Sequence, residues 1–465
     1  MNTFKMKLEH LSKIDMSVGK PRKQIVLFAI PLMIGNLFQM LYNMVDTMVV
    51  GQYVSTVALA AVGATTPVVD LLLGLVIGLS NGLSIVIAQK IGARQTKKTR
   101  KAITNGFYLI VSLSVIILLL GLIFNRHLFS LIHVSDELLP GAMTYSSIIF
   151  IGAVFLAIYN YESALLRADG NSMGPLLFLI LSAILNVFGD LFFVLVLHMG
   201  IAGVALATIL SQLICCVLCF IYMKRKMDIL TFEKEDYQLD RAYILEHVKV
   251  GMPMAFFQSL LSVSFLVVQS ALNTLGSQEV AAYTAAYKMD SMMMSILSGF
   301  GTAISTFTAL NDGNRSFDRI KQGAKDTLKI TISLSLIVAV LAHFLAPQFM
   351  SLFVNSQETE VIALGVQYIS FTSLCYFILG INFIVRFVLT GLGQSSIPLG
   401  VGILEIIVRC LGTYFLIYPL GFQGMTYINP LCWGTSTVLV VLIYPYLFKR
   451  AMCPTTMKPS NEISA

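Results

Sequence analysis

Apolar residues run through this chain in long unbroken blocks, with polar residues gathered into short stretches between them. Twelve such blocks fall near residues 24–48, 58–86, 104–124, 143–165, 175–197, 201–222, 250–272, 280–309, 327–346, 364–388, 397–418 and 426–448. Each is about 20 residues or longer, enough for a helix to cross a hydrocarbon core of ~30 Å. A helix that is apolar on every side is solvated by lipid or protein, not by water. The pattern therefore predicts an all-α integral membrane protein of twelve transmembrane helices. Pro and Gly bound or interrupt several blocks, which membrane helices tolerate.

The basic residues set the orientation. With the N-terminus in the cytoplasm, every Lys and Arg except Arg126, Lys288 and Arg409 falls in a cytoplasmic tail or loop or at an inner helix end, as the positive-inside rule requires. Both termini are expected to be cytoplasmic, in a multi-pass protein of the cell (inner or plasma) membrane. The charged stretch 224–249 divides the chain into a lobe of six helices (24–223) and a second of six (250–448), with tails at 1–23 and 449–465. The halves echo one another. Pro31 and Pro253, expected to open the first helices, lie 222 positions apart; Pro175 and Pro398 lie 223 apart, and Gly200-x-x-Gly203 and Gly421-x-x-Gly424 lie 221 apart. A near-constant offset across whole halves indicates duplication. Six helices return the chain to the same side, so the repeats are parallel, and two such bundles facing a central cavity form a transporter plan.

Composition narrows the class further. The chain is 57% hydrophobic and 12% charged, against about 25% charged in soluble domains. The net charge of +7 comes from loop residues that set topology, so no nucleic-acid partner is expected. Residues 1–23 lack the apolar core of a cleavable signal; Met6, Leu8, Leu11 and Ile14 suit either a short surface helix or a free tail. The seven cysteines lie mostly in apolar blocks and indicate no disulfide framework. Cys215, Cys216 and Cys219 have no histidine nearby and read as small packing residues. No cofactor is expected.

Polar residues inside the blocks carry the chemistry. In helix 1, Asn36, Gln39, Asn43 and Asp46 recur at three, four and three, which places them on one helical face. Such a stripe suits a water-accessible cavity; the amides also suit hydrogen bonding between helices. In helix 5, Asn186 and Asp190 are four apart and share a face, and Thr208 in helix 6 falls at similar depth at 1.5 Å per residue. Asp46, Asn186, Asp190 and Thr208 together could hold a small cation such as Na⁺, or take up a proton at the same oxygens; a structural hydrogen-bond cluster is the other reading. Asp70 in helix 2 and Lys288 with Asp290 in helix 8 fall near mid-membrane, and Asp70 or Asp290 would attract a cationic substrate if it faced the cavity. Met293, with Tyr283 and Tyr287, suits either an adaptable cavity wall or plain core. Glu405 and Arg409, four apart in helix 11, are expected to form a structural ion pair, and Glu162 and Arg167 near the inner end of helix 4 to pair or to snorkel.

The sequence resembles the multidrug and toxic compound extrusion (MATE) transporters, and their DinF-type branch most. The matching pieces are Tyr42-Asn-Met-Val-Asp46-Thr-Met-Val-Val-Gly51, Leu166-Arg-Ala-Asp-Gly-Asn171, Asn186-x-x-x-Asp190 and Gly200-Ile-Ala-Gly203-x-Ala-x-Ala-Thr208, with weaker echoes at Thr390-Gly-Leu-Gly393-Gln and Gly421-Phe-Gln-Gly424. The resemblance implies two pseudo-symmetric bundles set in a V, and antiport of H⁺ or Na⁺ against organic, often cationic, drug-like compounds, in a chain expected to be monomeric. It also implies that Asp46, Asn186, Asp190 and Thr208 form the first-lobe cation site. The NorM-type branch adds acids in helices 7 and 10. Here those helices hold Gln258, Gln269, Asn382 and Arg386, which favours coupling through the first lobe. A flippase for lipid-linked oligosaccharides or lipids, from the same superfamily, is the alternative. No Gly-x-Ser-x-Gly, His-Glu-x-x-His or P-loop motif supports an enzyme or an ATP-driven pump.

Overall fold

A computed structural model describes residues 13–132, 134–355 and 357–452. The tail positions Met6, Leu8, Leu11, Cys453 and beyond lie outside the described residues. The first bundle comprises α1 (Pro21–Val49), α2 (Thr56–Gly92), α3 (Thr96–Leu131), α4 (Leu139–Ala168), α5 (Met173–Leu191) and α6 (Gly200–Lys226). The second comprises α7 (Arg241–Leu272), α8 (Ser277–Gly313), α9 (Phe317–Met350), α10 (Thr359–Leu374, resumed at Tyr376–Gly391), α11 (Ser396–Gly412) and α12 (Phe422–Met452). Among the described residues there is no strand. Exposed apolar side chains such as Ile116, Leu119, Leu120 and Ile123 on α3, and Leu336, Ile337, Val340 and Leu341 on α9, give each bundle a lipid-facing belt.

Several helices outrun their apolar blocks. For two of them a side-chain cap, not hydropathy, marks the start. Asp240 Oδ1 accepts the Ala242 N–H at 2.8 Å, so α7 starts in charged sequence at Arg241. Ser55 Oγ accepts the Ala58 N–H at 2.9 Å and starts α2. Pro31 and Pro253 do not open their helices; both lie inside α1 and α7. The tenth apolar block is not one straight helix either: α10 bends by 49° at Cys375.

The duplication is visible in the backbone. Six of the nine positive-φ residues among those described fall in matched pairs: Arg94 and Arg315 (φ 56° each), Gly170 and Gly393 (φ 88° and 75°), Gly200 and Gly421 (φ 56° and 61°). A π-helical turn extends α5 (Phe192–Val196) and its counterpart α11 (Thr413–Ile417).

The lobes close against each other at the end that bears the basic loops. A Cβ at Gly92 would stand 2.0 Å from the Leu310 carbonyl oxygen, and one at Gly313 would stand 1.9 Å from that of Gln89. Only glycine permits this approach, and each contact is the other with the halves exchanged. One helical layer deeper, Gly78 meets the Met254 backbone and Gly299 meets Met33 in the same reciprocal way. One apolar core cluster joins both lobes here, from Ile25, Leu79 and Ala88 to Ile304, Leu310 and Ile320. Gln89 Nε2 donates to Asp312 Oδ2 at 2.9 Å, and Lys90 pairs with Glu246 at 2.7 Å. Residues 13–20 lie across the seam. Lys13 pairs with Asp169 at 2.7 Å and the Ile14 N–H donates to Gly170 O at 2.9 Å on one side. On the other, Arg319 donates to the carbonyls of Gly19 and Met16 at 2.8 and 3.2 Å.

Candidate functional site

Toward the opposite end the lobes part around a cavity of about 420 Å³. Gln39, Tyr42, Asn43 and Asp46 of α1, Asp70 of α2, Tyr145 of α4, Thr208 and Gln212 of α6, and Gln258 and Ser262 of α7 line it. The polar stripe of α1 therefore faces a cavity over three of its four positions. The fourth, Asn36, donates to Ser295 O of α8 at 3.0 Å and ties the lobes together.

Asp46 sits at one wall of this cavity with Asp190 behind it. Asp190 and Asn186 are fully buried, on the one face of α5 that their spacing requires. Asn186 Nδ2 donates to Thr208 Oγ1 at 3.3 Å, whose own hydroxyl donates to Val204 O at 3.1 Å. Tyr42 and Thr208 are neighbours in this group, as are the Asp46 and Asp190 carboxyls. Yet Asp46 Oδ1, Asn186 Oδ1 and both Asp190 oxygens are buried with no donor. Two acceptor-only carboxylates cannot satisfy one another. Buried polar atoms without partners are costly, and a proton, a water or a small cation between these oxygens would satisfy them. The ligand atoms are all oxygen, which suits a hard cation such as Na⁺ over a transition metal. No group of three or more His, Cys, Asp or Glu arranged for a metal ion occurs among the described residues. The π-helical turns that follow directly on α1 and α5 are of a kind frequent beside functional residues.

The second lobe differs. Asp290 is fully buried and lies away from the cavity, with its oxygens satisfied: Tyr368 and Tyr376 donate their hydroxyls at 2.6 and 2.7 Å, and Asn429 Nδ2 donates at 3.3 Å. Arg409 Nη1 donates to Asn429 Oδ1 at 2.9 Å, and its guanidinium covers the Phe265 ring. The bend in α10 turns both tyrosines, eight positions apart, onto one carboxylate. The expected cavity wall of Tyr283, Tyr287, Asp290 and Met293 is thus corrected. Tyr283 stacks on Tyr287 and meets Tyr368 edge to face within the second bundle, and Met293 packs with Leu297 and Trp433. Glu405 and Arg409 form no direct ion pair: Glu405 accepts from Ser436 at 3.3 Å while Arg409 turns to Asn429. Glu162 and Arg167 do not pair either, since Arg167 donates to Asn81 at 3.2 Å. Lys288 lines a separate cavity with Asn273 and Glu358.

Sequence reading missed Tyr42 and Tyr145 beside the carboxylates, and Tyr368, Tyr376 and Asn429 around Asp290. The repeat itself carried a signal for two of them. Thr208 and Asn429 are 221 apart, the offset of Gly200 and Gly421, and Tyr145 and Tyr368 are 223 apart, the offset of Gly170 and Gly393. Carrying Thr208 and Tyr145 across at those offsets finds Asn429 and Tyr368, but not Asp290 or Tyr376.

Known proteins share both the sequence and the fold. The chain is 28% identical to the probable multidrug resistance protein YpnP of Bacillus subtilis, over 82% of this chain and 84% of that protein. It is 26% identical to YoeA of the same organism, also described as a probable multidrug resistance protein, over 92% of this chain and 94% of that one. A solved structure described as the outward-facing conformation of a multidrug resistance MATE family transporter superposes with a TM-score of 0.87 at 24% identity, covering 94% of this chain and 98% of that one. The MatE family model matches twice, over residues 31–192 and 253–415, once in each bundle and at the offset of the duplication. The chain belongs to the MatE (MATE) family of multidrug transporters and is not an enzyme.

Proposed function

We propose that this protein is a secondary active efflux transporter of the DinF-type branch, residing in the cell membrane with both termini cytoplasmic. It exchanges external H⁺ or Na⁺ for internal organic, cationic, drug-like compounds. One observation carries the reading: four buried oxygens of Asp46, Asn186 and Asp190 lack a donor beside the inter-lobe cavity, whereas the buried acid of the second lobe is fully satisfied. In the orientation the basic loops favour, the sealed end is cytoplasmic and the cavity opens outward. A proton or Na⁺ entering from outside neutralises the Asp46–Asp190 pair and removes the negative charge that holds a cationic substrate near Asp70 and the α1 stripe. The substrate leaves, the lobes reclose on the outer side, and the ion is released inward. The ion must bind the two states unequally for this to drive anything.

Ethidium efflux from proteoliposomes under a proton gradient and a sodium gradient, imposed separately, tests the proposal. Asp190→Asn and Asp46→Asn are expected to fall to the level of protein-free liposomes while remaining folded and monodisperse. Gradient-driven efflux at the native rate in either variant would overturn first-lobe coupling.

A further inference from the structure

A second cavity, of about 660 Å³, lies at the basic end of the first bundle, between α3, α4, α6 and the linker. No residue lines both it and the central cavity. Its roof is built, not draped. Arg100 donates to Thr231 Oγ1 at 2.7 Å, the Tyr108 hydroxyl donates to Tyr237 O at 3.0 Å, and Thr104 donates to Asp236 O. The roof brings Phe232 against Tyr237, ring centroids 5.6 Å apart, and α3 and α4 bring Phe107 toward Tyr161 at 6.4 Å.

Glu162 lines this aromatic chamber and is 4% exposed. Its Oε2 has no donor. Its Oε1 meets the Cys216 thiol at 4.0 Å, and the Cys219 thiol also lies beside the carboxyl; a thiol is a weak donor. Of the basic residues nearby, Arg167 is turned away to Asn81 and Lys224, which lines the same chamber, is exposed to solvent. A lone buried carboxylate inside rings is a poor inorganic-metal site, because it offers too few hard oxygens. It is a good site for a charge delocalised over hydrocarbon, since ring faces attract cations and the volume suits a drug-sized molecule.

We propose that this chamber binds a lipophilic organic cation, with its charge on Glu162 and its apolar groups against Phe107, Tyr161, Phe232 and Tyr237. The exposed rings of Phe107 and Phe220 flank the chamber and add aromatic faces for such a cation. The assignment does not rest on coupled efflux, and its test reads binding without transport.

Equilibrium binding of radiolabelled tetraphenylphosphonium to the full chain in detergent reads the site directly. The native protein should show a component that weakens tenfold or more in Glu162→Gln and is unchanged in Asp46→Asn. Phe232→Ala, which alters only the roof and leaves the bundle interior intact, should weaken the same component. Superimposable curves for native protein and Glu162→Gln, or no binding by the native protein, would overturn the proposal. Neutral triphenylphosphine oxide should not compete. In nanodiscs, loss of the component only when phosphatidylethanolamine is present would assign the chamber to the lipid ammonium and overturn the organic cation as its occupant. If Asp190→Asn transports normally while Glu162→Gln still loses binding, the coupling reading fails and this one stands.

Discussion

Valine at Gly92 or Gly313 is expected to stop transport by holding the basic ends of the bundles apart. At these positions a Cβ would stand 2.0 and 1.9 Å from backbone carbonyl oxygens of the opposite lobe. Backbone cannot rotate away as a side chain can, so the helices must separate. Overpacking of this kind costs about 1–3 kcal/mol where the surroundings yield, and each ~1.4 kcal/mol moves a two-state equilibrium about tenfold. The closed seam loses population, and a cycle that needs both states stalls. Ala88, buried one helical turn before Gly92 on the same face and part of the core shared by both lobes, supplies the readout. In a background with native cysteines replaced by alanine, Ala88→Cys should react slowly with an impermeant maleimide, and about tenfold faster or more once Gly92→Val is added. Unchanged labelling with native transport would show that the contact is dispensable. Gly313→Val should behave alike, because the two contacts are exchanged by the repeat.

Asp290→Ala is expected to destabilise the second bundle severely. The substitution strips acceptors from the Tyr368 and Tyr376 hydroxyls and the Asn429 amide, and Asn429 in turn holds Arg409. Removing one member of a buried charged group costs about 3–5 kcal/mol, chiefly because the others stay buried and unpaired. The measurement is the thermal unfolding midpoint in detergent, with size-exclusion profiles to follow aggregation. Tyr376→Phe removes one donor and leaves the carboxylate two others, so its loss should be closer to the 0.5–1.5 kcal/mol of an ordinary hydrogen bond (order of magnitude). A midpoint for Asp290→Ala equal to the native one would mean that the network is not structural.

The twelve helices were legible because lipid imposes one rule along every segment, and the first-lobe cluster because Asn186 and Asp190 share a helical face by spacing alone. The second-lobe cluster was not. Its geometry depends on the bend at Cys375, which no proline or glycine marks, and on which neighbour Arg409 reaches. A spacing of four placed Glu405 beside Arg409 on paper. In the fold each found a better partner across the bundle, Ser436 for one and Asn429 for the other. Spacing within one helix determines which residues share a face, but it does not determine which helix that face meets. The same limit explains Tyr283 and Met293, whose composition suited a cavity and whose helix face turned inward to the second bundle's core.

The reciprocal seam has a consequence beyond gating. Gly92 meets Leu310 as Gly313 meets Gln89, and Gly78 meets Met254 as Gly299 meets Met33. An interface in which each partner offers the same patch and receives the same patch is isologous, the hallmark of a twofold homodimer. A half-length chain carrying one such glycine set would already complement a second copy of itself. The junction between the bundles thus keeps the geometry of a dimer of six-helix proteins, now joined by the fourteen-residue linker 227–240 between α6 and α7. The two halves differ all the same: the Asp46–Asp190 group keeps unpartnered oxygens beside the cavity, whereas Asp290 is closed into a network of donors.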